Sequence, residues 1–301
     1  MLDAISPLRY PGGKACLASY IECFILENRL AGTTLYEPYA GGAAVALTLL
    51  ERNIIDRCVL VERDPLIYAF WKTARDHPQD LTRKIKTAKL SIHSWSRQRS
   101  YLRHDKPDRD KTVAMGFAGL FLNRCNFSGI LDAGPIGGKN QESAYAIGCR
   151  FDRERLTRQV ERIATLRRKI TVRFGDGLKY LKQHAQKLRE QRALAYIDPP
   201  YIQQGSRLYR HAYTEADHRR LATYLDQNPF PWLVSYDNHP LVYDMFSRQT
   251  IVPILLNYAV KKSRHADEVL ISNLPLPEPL YKDGDGRTID ITLQRTARAI
   301  P

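Results

Sequence analysis

Four consecutive residues, Asp198-Pro199-Pro200-Tyr201, place an acid, two rigid residues and an aromatic ring directly after an apolar run. Proline fixes φ and lacks an N–H group, so the segment is stiff and its carbonyls stay free to accept hydrogen bonds. A carboxylate and such a carbonyl together accept both hydrogens of an exocyclic amine. A base stacked on the tyrosine ring would gain roughly 1–3 kcal/mol. The pattern predicts an amine-binding loop, and a plain proline-rich turn is the alternative.

A second candidate site begins with Glu37-Pro38 and continues to Gly41. Glycines after a strand let a ligand approach the backbone, and the following helix offers unpaired N–H groups. The spacing is not G-x-G-x-x-G, so the dinucleotide fingerprint is absent. Glu62 lies about 20 residues further on, where an acid binds ribose hydroxyls in nucleotide-binding sheets. Asp64 competes with Glu62 for this role.

A third acid, Asp176, stands before Gly177 at the end of another strand-like run. The carboxyl ends of parallel strands meet at one edge of a sheet. Asp176 would therefore join Glu37, Glu62 and Asp198 in one pocket suited to an adenosine and an amine. The convergence of these acids is a stronger indication than any one of them.

Lys14 follows Gly13 near the N-terminus. The motif G-x-x-x-x-G-K-[ST] is absent, which excludes a Walker phosphate loop. A lysine here would approach a cofactor carboxylate or a substrate base, and a flexible basic segment is the alternative.

The elements that must position these residues alternate between strand-like and helix-like runs, an order typical of a parallel α/β sheet. The last two strand-like runs predict an antiparallel pair. Strands are predicted at residues 34–39, 58–62, 170–174, 193–198, 231–237, 251–258 and 268–273, and helices at 17–26, 43–52, 65–73, 178–191 and 215–227.

Between these runs lies a segment of different composition, helical in period and rich in basic residues. Residues 73–165 hold 18 Lys and Arg against 10 Asp and Glu, more than half of the net charge of +14 on the whole chain. Such a surplus favours a polyanionic partner, although a solvated helical face is the alternative. We predict a Rossmann-like α/β sheet split by a mostly helical target-recognition insertion, with catalytic parts at 1–72 and 166–301 and the insertion at 73–165.

The composition narrows the class of protein. An apolar content of 44% supports a sizeable core. No apolar run reaches the roughly 18 residues of a membrane span, and no signal-peptide core is present. The five cysteines lack paired spacing, which predicts reduced thiols without a zinc site. We expect no metal and no membrane contact.

The motifs and their order resemble the Dam-type (D12 class) adenine-specific DNA methyltransferases. The likeness spans nearly the whole chain and includes a recognition loop and a closing hairpin. It rests on Arg9-Tyr10-Pro11-Gly12-Gly13-Lys14, Glu37-Pro38-Tyr39-Ala40-Gly41-Gly42, Asn123-Arg124, Phe127-Ser128-Gly129, Asp198-Pro199-Pro200-Tyr201, Ser263-Arg264 and Glu268-Val269-Leu270.

The resemblance implies a pocket for S-adenosylmethionine and a loop that holds a flipped adenine. The implied cofactor residues are Tyr10, Gly13, Lys14, Glu37, Pro38, Gly41, Glu62, Asp64, Asp176, Gly177 and Asp198. The implied catalytic residues are Asp198, Pro199, Pro200 and Tyr201. In the insertion, Arg124, Asn126, Ser128 and Lys139 are candidate DNA contacts, because Arg and Lys suit guanine and Asn suits adenine.

The chain departs from the Dam enzymes that read GATC, which have an arginine shortly after the recognition-loop glycine. This chain has Ile130-Leu131-Asp132 there, so GATC is not carried over as the target.

We therefore expect a site-specific methyltransferase that modifies N6 of a flipped adenine in double-stranded DNA. The alternatives are an RNA adenine-N6 methyltransferase, a protein-amide methyltransferase, and a non-catalytic DNA-binding subunit. Protein-glutamine enzymes tend to carry Asn in place of Asp198, which argues against the second alternative. We also expect a cytoplasmic, bacterial or phage-encoded protein, with restriction or defence-system proteins as further partners.

Overall fold

The computed structural model describes residues 5–9, 14–258, 264–277, 280–282 and 288–290. Its centre is a seven-stranded sheet in the order β3-β2-β1-β4-β5-β7-β6. The strands are β1 (Thr33–Glu37), β2 (Ile55–Glu62), β3 (Ile170–Phe174), β4 (Ala193–Ile197), β5 (Trp232–Asp237), β6 (Thr250–Tyr258) and β7 (Arg264–Ser272). Two short antiparallel strands, β8 (Leu280–Lys282) and β9 (Thr288–Asp290), form a separate ribbon.

The first five strands are parallel, and β7 runs antiparallel to both of its neighbours. The chain builds outward from β1 to β3 and then returns to place β4 on the other side of β1. Strand order therefore reverses between β1 and β4, and a crevice opens outside their carboxyl ends.

Helices cover both faces of the sheet. They are α1 (Ala18–Glu27), α2 (Ala44–Glu51), α3 (Pro65–Asp76), α4 (Pro78–Lys86), α5 (Ile92–Arg99), α6 (Thr112–Cys125), α7 (Arg153–Thr165), α8 (Gly177–Gln183), α9 (Ala185–Glu190), α10 (Gly205–Leu208), α11 (Glu215–Asp226) and α12 (Pro240–Met245). Side chains alternate along each strand, so Leu35 joins the core beneath α1 to α3 while Tyr36 joins the core beneath α8 and α11.

The insertion shares the first of these cores. Met115 and Phe121 of α6 and Leu156 of α7 belong to the same buried cluster as Phe70 of α3. The predicted boundary at residue 73 falls inside α3, which continues to Asp76. The insertion is therefore packed on the sheet domain through a continuous core, and its division from residues 1–72 and 166–301 stays a prediction.

Two glycines let α6 lie against the backbone of α3. A Cβ atom on Gly116 would stand 2.6 Å from the carbonyl oxygen of Ala69, and one on Gly119 would stand 2.6 Å from that of Leu66. Both separations are shorter than a side chain tolerates, so this helix contact requires glycine.

The predicted fold class is confirmed, and so is the antiparallel closing pair. The single helix predicted at residues 178–191 is wrong, since α8 ends at Gln183 and α9 starts at Ala185. His184 between them has φ −117° and ψ 14°, and its ring stacks on Tyr180 at 3.9 Å. Within the described part of the chain, no helix is both long and apolar enough to cross a membrane.

Candidate active site

A cleft of about 1120 Å³, its open mouth included, lies at the carboxyl ends of β1 and β4. All four acids predicted to converge line it, together with residues of the insertion and of the segment after β4. The lining comprises Lys14, Glu37, Pro38, Tyr39, residues 40–45, Glu62, Arg63, Asp64, residues 129–131, Asp176, Gly177, Tyr196, Asp198, Pro200, residues 208–211 and Tyr213.

Asp198 follows β4 at the centre of this cleft. Its Oδ1 atom accepts a hydrogen bond from the Ser235 hydroxyl at 2.8 Å and lies 3.2 Å from Nζ of Lys14. Burial raises the pKa of Asp198, and the positive charge of Lys14 opposes this shift. Two donors thus hold one carboxylate oxygen, and no described residue donates to Oδ2. Pro199 is buried, whereas Pro200 lines the cleft.

Lys14 connects Asp198 to two further groups behind the cleft. Its Nζ atom donates to the hydroxyl of Tyr201 at 2.9 Å and lies 3.0 Å from Oε1 of Glu268 on β7. The same Oε1 atom accepts a hydrogen bond from Tyr201 at 2.9 Å. Nζ also stands 4.7 Å from the centre of the Tyr201 ring. Lys14 is therefore anchored to the loop Asp198–Tyr201, in which Tyr201 is partly exposed.

Two buried carboxylates bind backbone N–H groups in and around the segment that follows β1. Glu37 accepts a hydrogen bond from the backbone N–H of Ala46 at 2.9 Å. Glu62 accepts from the N–H groups of Gly41 at 3.0 Å and Asp64 at 2.8 Å. Burial raises the pKa of Glu37 to about 8 and that of Glu62 to about 7. These backbone bonds favour the ionised form and partly offset burial.

Asp64 and Asp176 both cap helices at the cleft. Asp64 accepts from Leu66 N at the start of α3, and Asp176 accepts from Lys179 N at the start of α8. Asp64 also forms a largely buried ion pair with Arg210 at 2.9 Å. Both acids therefore have structural partners in addition to facing the cleft.

The segment 202–213 closes one side of the cleft, and the sequence interpretation missed it. Asp237 at the end of β5 accepts the backbone N–H of Ile202 at 3.0 Å. Arg210 donates to the carbonyl of Leu102 in the insertion at 2.7 Å, and Tyr213 donates to Asp176 at 3.2 Å. We call residues 202–213 the strap. Its aromatic and basic residues directly follow the Asp198–Tyr201 loop in the sequence. This proximity could have indicated that they belong to the site.

The predicted recognition loop reaches the cleft through residues 129–131. Gly129 has φ +78°, and a Cβ atom there would stand 2.1 Å from the carbonyl oxygen of Arg9. The buried amide of Asn123 accepts from Arg9 N at 2.7 Å and donates to the carbonyl of Gly129 at 2.9 Å. The insertion and the N-terminal segment are thereby joined at the cleft. Phe127 in the same loop is 68% exposed.

The four residues predicted to contact DNA differ in how far their side chains are exposed. Asn126 is fully buried, and its amide binds Trp95 Nε1 at 2.7 Å and the carbonyl of Leu131 at 2.7 Å. The prediction that Asn126 contacts a base edge is therefore not supported. Ser128 and Lys139 are exposed.

Arg124 is half-buried. Burial, together with the nearby charges of Arg9 and Arg155, lowers its pKa to about 10. Its location in a cluster of like charges favours an anionic partner. The predicted cofactor residues Tyr10 and Gly13 lie outside the described residues.

The sheet order, the antiparallel β7 and the cleft at the strand reversal define a Rossmann-like methyltransferase fold. A family model for the D12 class N6 adenine-specific DNA methyltransferases matches residues 10–260. This match covers more than half of the chain, and the chain belongs to that family. A comparison with curated proteins returned no match. The protein is thus an enzyme that uses S-adenosylmethionine to methylate N6 of adenine in DNA.

The cleft fits this cofactor. Gly41 has φ +44°, and the loop after it brings bare backbone to the cleft wall. Glu62 offers a buried carboxylate of the kind that binds ribose hydroxyls. Tyr39 and Ile130 add apolar surface. When bound, S-adenosylmethionine supplies an activated methyl group.

Proposed function

We propose that Asp198 holds the N6 amine of an adenine that has left the duplex. The observation that carries this proposal is that the two oxygens of its carboxylate have different surroundings. Oδ1 is held by Lys14 and Ser235, and no described residue donates to Oδ2. Oδ1 fixes the orientation of the carboxylate, and Oδ2 is then placed to accept an amine hydrogen. The carbonyl of Pro199 would accept the other hydrogen, and the two prolines keep the loop stiff.

The target base must leave the stack because its amine is otherwise paired. Tyr201 and the prolines beside it would contact the extruded base, and the hydrogen bond from Tyr201 to Glu268 fixes its ring. Because the cofactor is already an activated methyl donor, the protein contributes mainly by positioning. Transfer of labelled methyl groups to duplex DNA, compared with RNA of the same sequence, tests this function. Sequencing the methylated product identifies the recognition site.

For the cofactor we propose Lys14, Glu37, Pro38, Gly41, Glu62, Asp64, Asp176, Gly177 and Asp198 as pocket residues. Glu62 is the group proposed to accept hydrogen bonds from the ribose. Its two backbone donors, Gly41 and Asp64, hold the carboxylate in place without filling every lone pair. Asp176 would accept the adenine amine of the cofactor, since its carboxylate lines the cleft.

Cofactor affinity should depend on pH through Glu62. With a pKa of about 7, this carboxyl is mostly neutral at pH 6 and mostly ionised at pH 8, and only the ionised form accepts two hydroxyl hydrogens well. We expect S-adenosylmethionine to bind about tenfold more tightly at pH 8 than at pH 6. Calorimetric titration across this range measures the change.

The Glu62→Gln variant should bind S-adenosylmethionine more weakly, and its affinity should no longer change near pH 7. A remaining step near pH 8 would belong to Glu37, whose pKa is about 8. An unaltered pH profile in Glu62→Gln would remove Glu62 from the proposed ribose contacts.

We propose that Phe127 helps to extrude the target base by filling space in the DNA stack. It is exposed, and residues 129–131 of the same loop line the cleft. Apolar side chains act as such wedges in other DNA-bending proteins. Phe127→Ala should lower kcat/KM on paired duplex about tenfold, and a mismatched target base should recover most of the loss because it is easier to extrude.

Tyr145→Ala is the matched control, since Tyr145 is also exposed in the insertion (55%) but does not line the cleft. An equal loss on paired and mismatched substrates would contradict the wedge role.

Arg124, Ser128 and Lys139 remain proposed DNA contacts, with Arg124 assigned to a phosphate because of its cationic cluster. We also propose a cytoplasmic location in a bacterial or phage-infected cell, where DNA is accessible. A restriction or defence-system partner is proposed from the family's methylation activity. Affinity purification from cells that express the native operon tests for that partner.

A further inference from the structure

Glu268 lies on β7, and the sequence interpretation gave it no role in the site. It pairs in register with Asp237 of β5 and Ile254 of β6, so strands flank it on both sides. Its side chain is 1% exposed. A carboxylate in such a position is costly unless charged or polar groups bind it.

Two groups that bind Glu268 belong to the proposed catalytic machinery. Lys14 Nζ lies 3.0 Å from its Oε1 atom, and the Tyr201 hydroxyl donates to the same atom at 2.9 Å. Lys14 also lies 3.2 Å from Oδ1 of Asp198. One ammonium group is therefore shared by two carboxylates, and only Asp198 faces the cleft.

The location of Lys14 depends on both partners. With Glu268 present, the ammonium group stays behind the cleft and reaches only the inner oxygen of Asp198. Without the Glu268 charge, Lys14 keeps its contact with Asp198 but loses the carboxylate that draws its ammonium group away from Oδ2. The Tyr201 hydroxyl also loses the charged acceptor of its hydrogen bond.

We propose that Glu268 is a positioning residue for methyl transfer, acting through Lys14 and Tyr201. It keeps the ammonium group on Oδ1 of Asp198 and fixes the ring beside the target base. This inference rests on the proposed role of Asp198. Glu268 itself does not touch the reacting atoms.

Steady-state kinetics of Glu268→Gln test the proposal. Glutamine keeps the size and an acceptor oxygen for Tyr201 but removes the charge that holds Lys14. We expect kcat to fall about 10- to 100-fold, a larger change than the accompanying change in KM for S-adenosylmethionine. Ser272→Ala is the control, since Ser272 is buried on the same strand and its hydroxyl hydrogen-bonds only to the backbone of Trp232 and Leu274 in the described structure. A normal kcat in Glu268→Gln, or an equal loss in Ser272→Ala, would overturn the proposal.

A double-mutant cycle based on melting temperature tests the contact between Lys14 and Glu268 independently of activity. Lys14→Met, Glu268→Gln and the double variant are compared by melting temperature. Because the two side chains interact, the double variant should melt well above the value that the two separate losses predict by addition. Additive losses would show that Glu268 does not hold Lys14 and would overturn the inference.

The two experiments also separate this inference from the proposed function. If the wild-type enzyme methylates DNA and Asp198→Ala retains full activity, the role of Asp198 fails, and the role of Glu268 that depends on it fails too. If Asp198→Ala is inactive while Glu268→Gln keeps a normal kcat, only the inference on Glu268 fails.

Discussion

Asp198→Ala should lower kcat for methyl transfer by about a thousandfold or more while leaving the affinity for DNA nearly unchanged. The carboxylate is expected to orient the amine in the transition state, and the loss of one preorganised contact of this kind costs about 10²–10³ in rate. The variant also leaves Lys14 beside an empty position, which adds to the loss. Labelled-methyl transfer measures the rate, and fluorescence anisotropy of a labelled duplex measures binding.

Asp226→Ala is the matched control for this change. Asp226 lies at the end of α11, where it pairs with Arg248 on the surface and does not line the cleft. It should keep the wild-type rate. If Asp198→Ala lost DNA binding but transferred methyl groups to bound DNA at the wild-type rate, the assignment of Asp198 as the amine-binding residue would be wrong.

Gly119→Ala should destabilise the fold and weaken activity through the insertion. The added Cβ atom would stand 2.6 Å from the carbonyl oxygen of Leu66, and backbone cannot yield as a flexible side chain can. Overpacking of this kind costs about 1–3 kcal/mol. Alanine regains roughly 1 kcal/mol of helix propensity, but separating α6 from α3 outweighs this gain. Thermal unfolding should show a melting temperature lower by several degrees.

Gly134→Ala provides the comparison, because no atom lies within 4 Å of a Cβ atom added there. It should melt within a degree or two of the wild type. A Gly119→Ala variant as stable as Gly134→Ala would mean that the two helices are not in close backbone contact.

The strand ends and their acids were predictable because both depend on local pattern. Apolar runs ending in an acid gave β1, β2, β3 and β4, and parallel pairing brings such ends together. The cap roles of Asp64 and Asp176 were not predicted, although an acid before Pro65 or Gly177 at a helix start is a known N-cap signal.

The remaining features depend on contacts between distant segments. Nothing near Glu268 in the sequence indicates that it meets Lys14, which is over 250 residues away. Asn126 looked like a base-reading residue because its type suits adenine, but the fold encloses its amide. The contact of Arg210 with Asp64 likewise arises only when the strap folds over the cleft.

The contact between α3 and α6 affects how this enzyme could be redesigned. Helix α3 is capped by Asp64 on the cleft, and α6 ends at Cys125, just before the predicted recognition loop. The two helices share a core and touch along their backbones. The proposed DNA-recognition segment is therefore packed rigidly against the helix that borders the cleft. Grafting a whole insertion from a relative would therefore disturb the cofactor cleft unless α3 is exchanged with it. New target sequences are better sought by randomising residues 127–139 on the native helices.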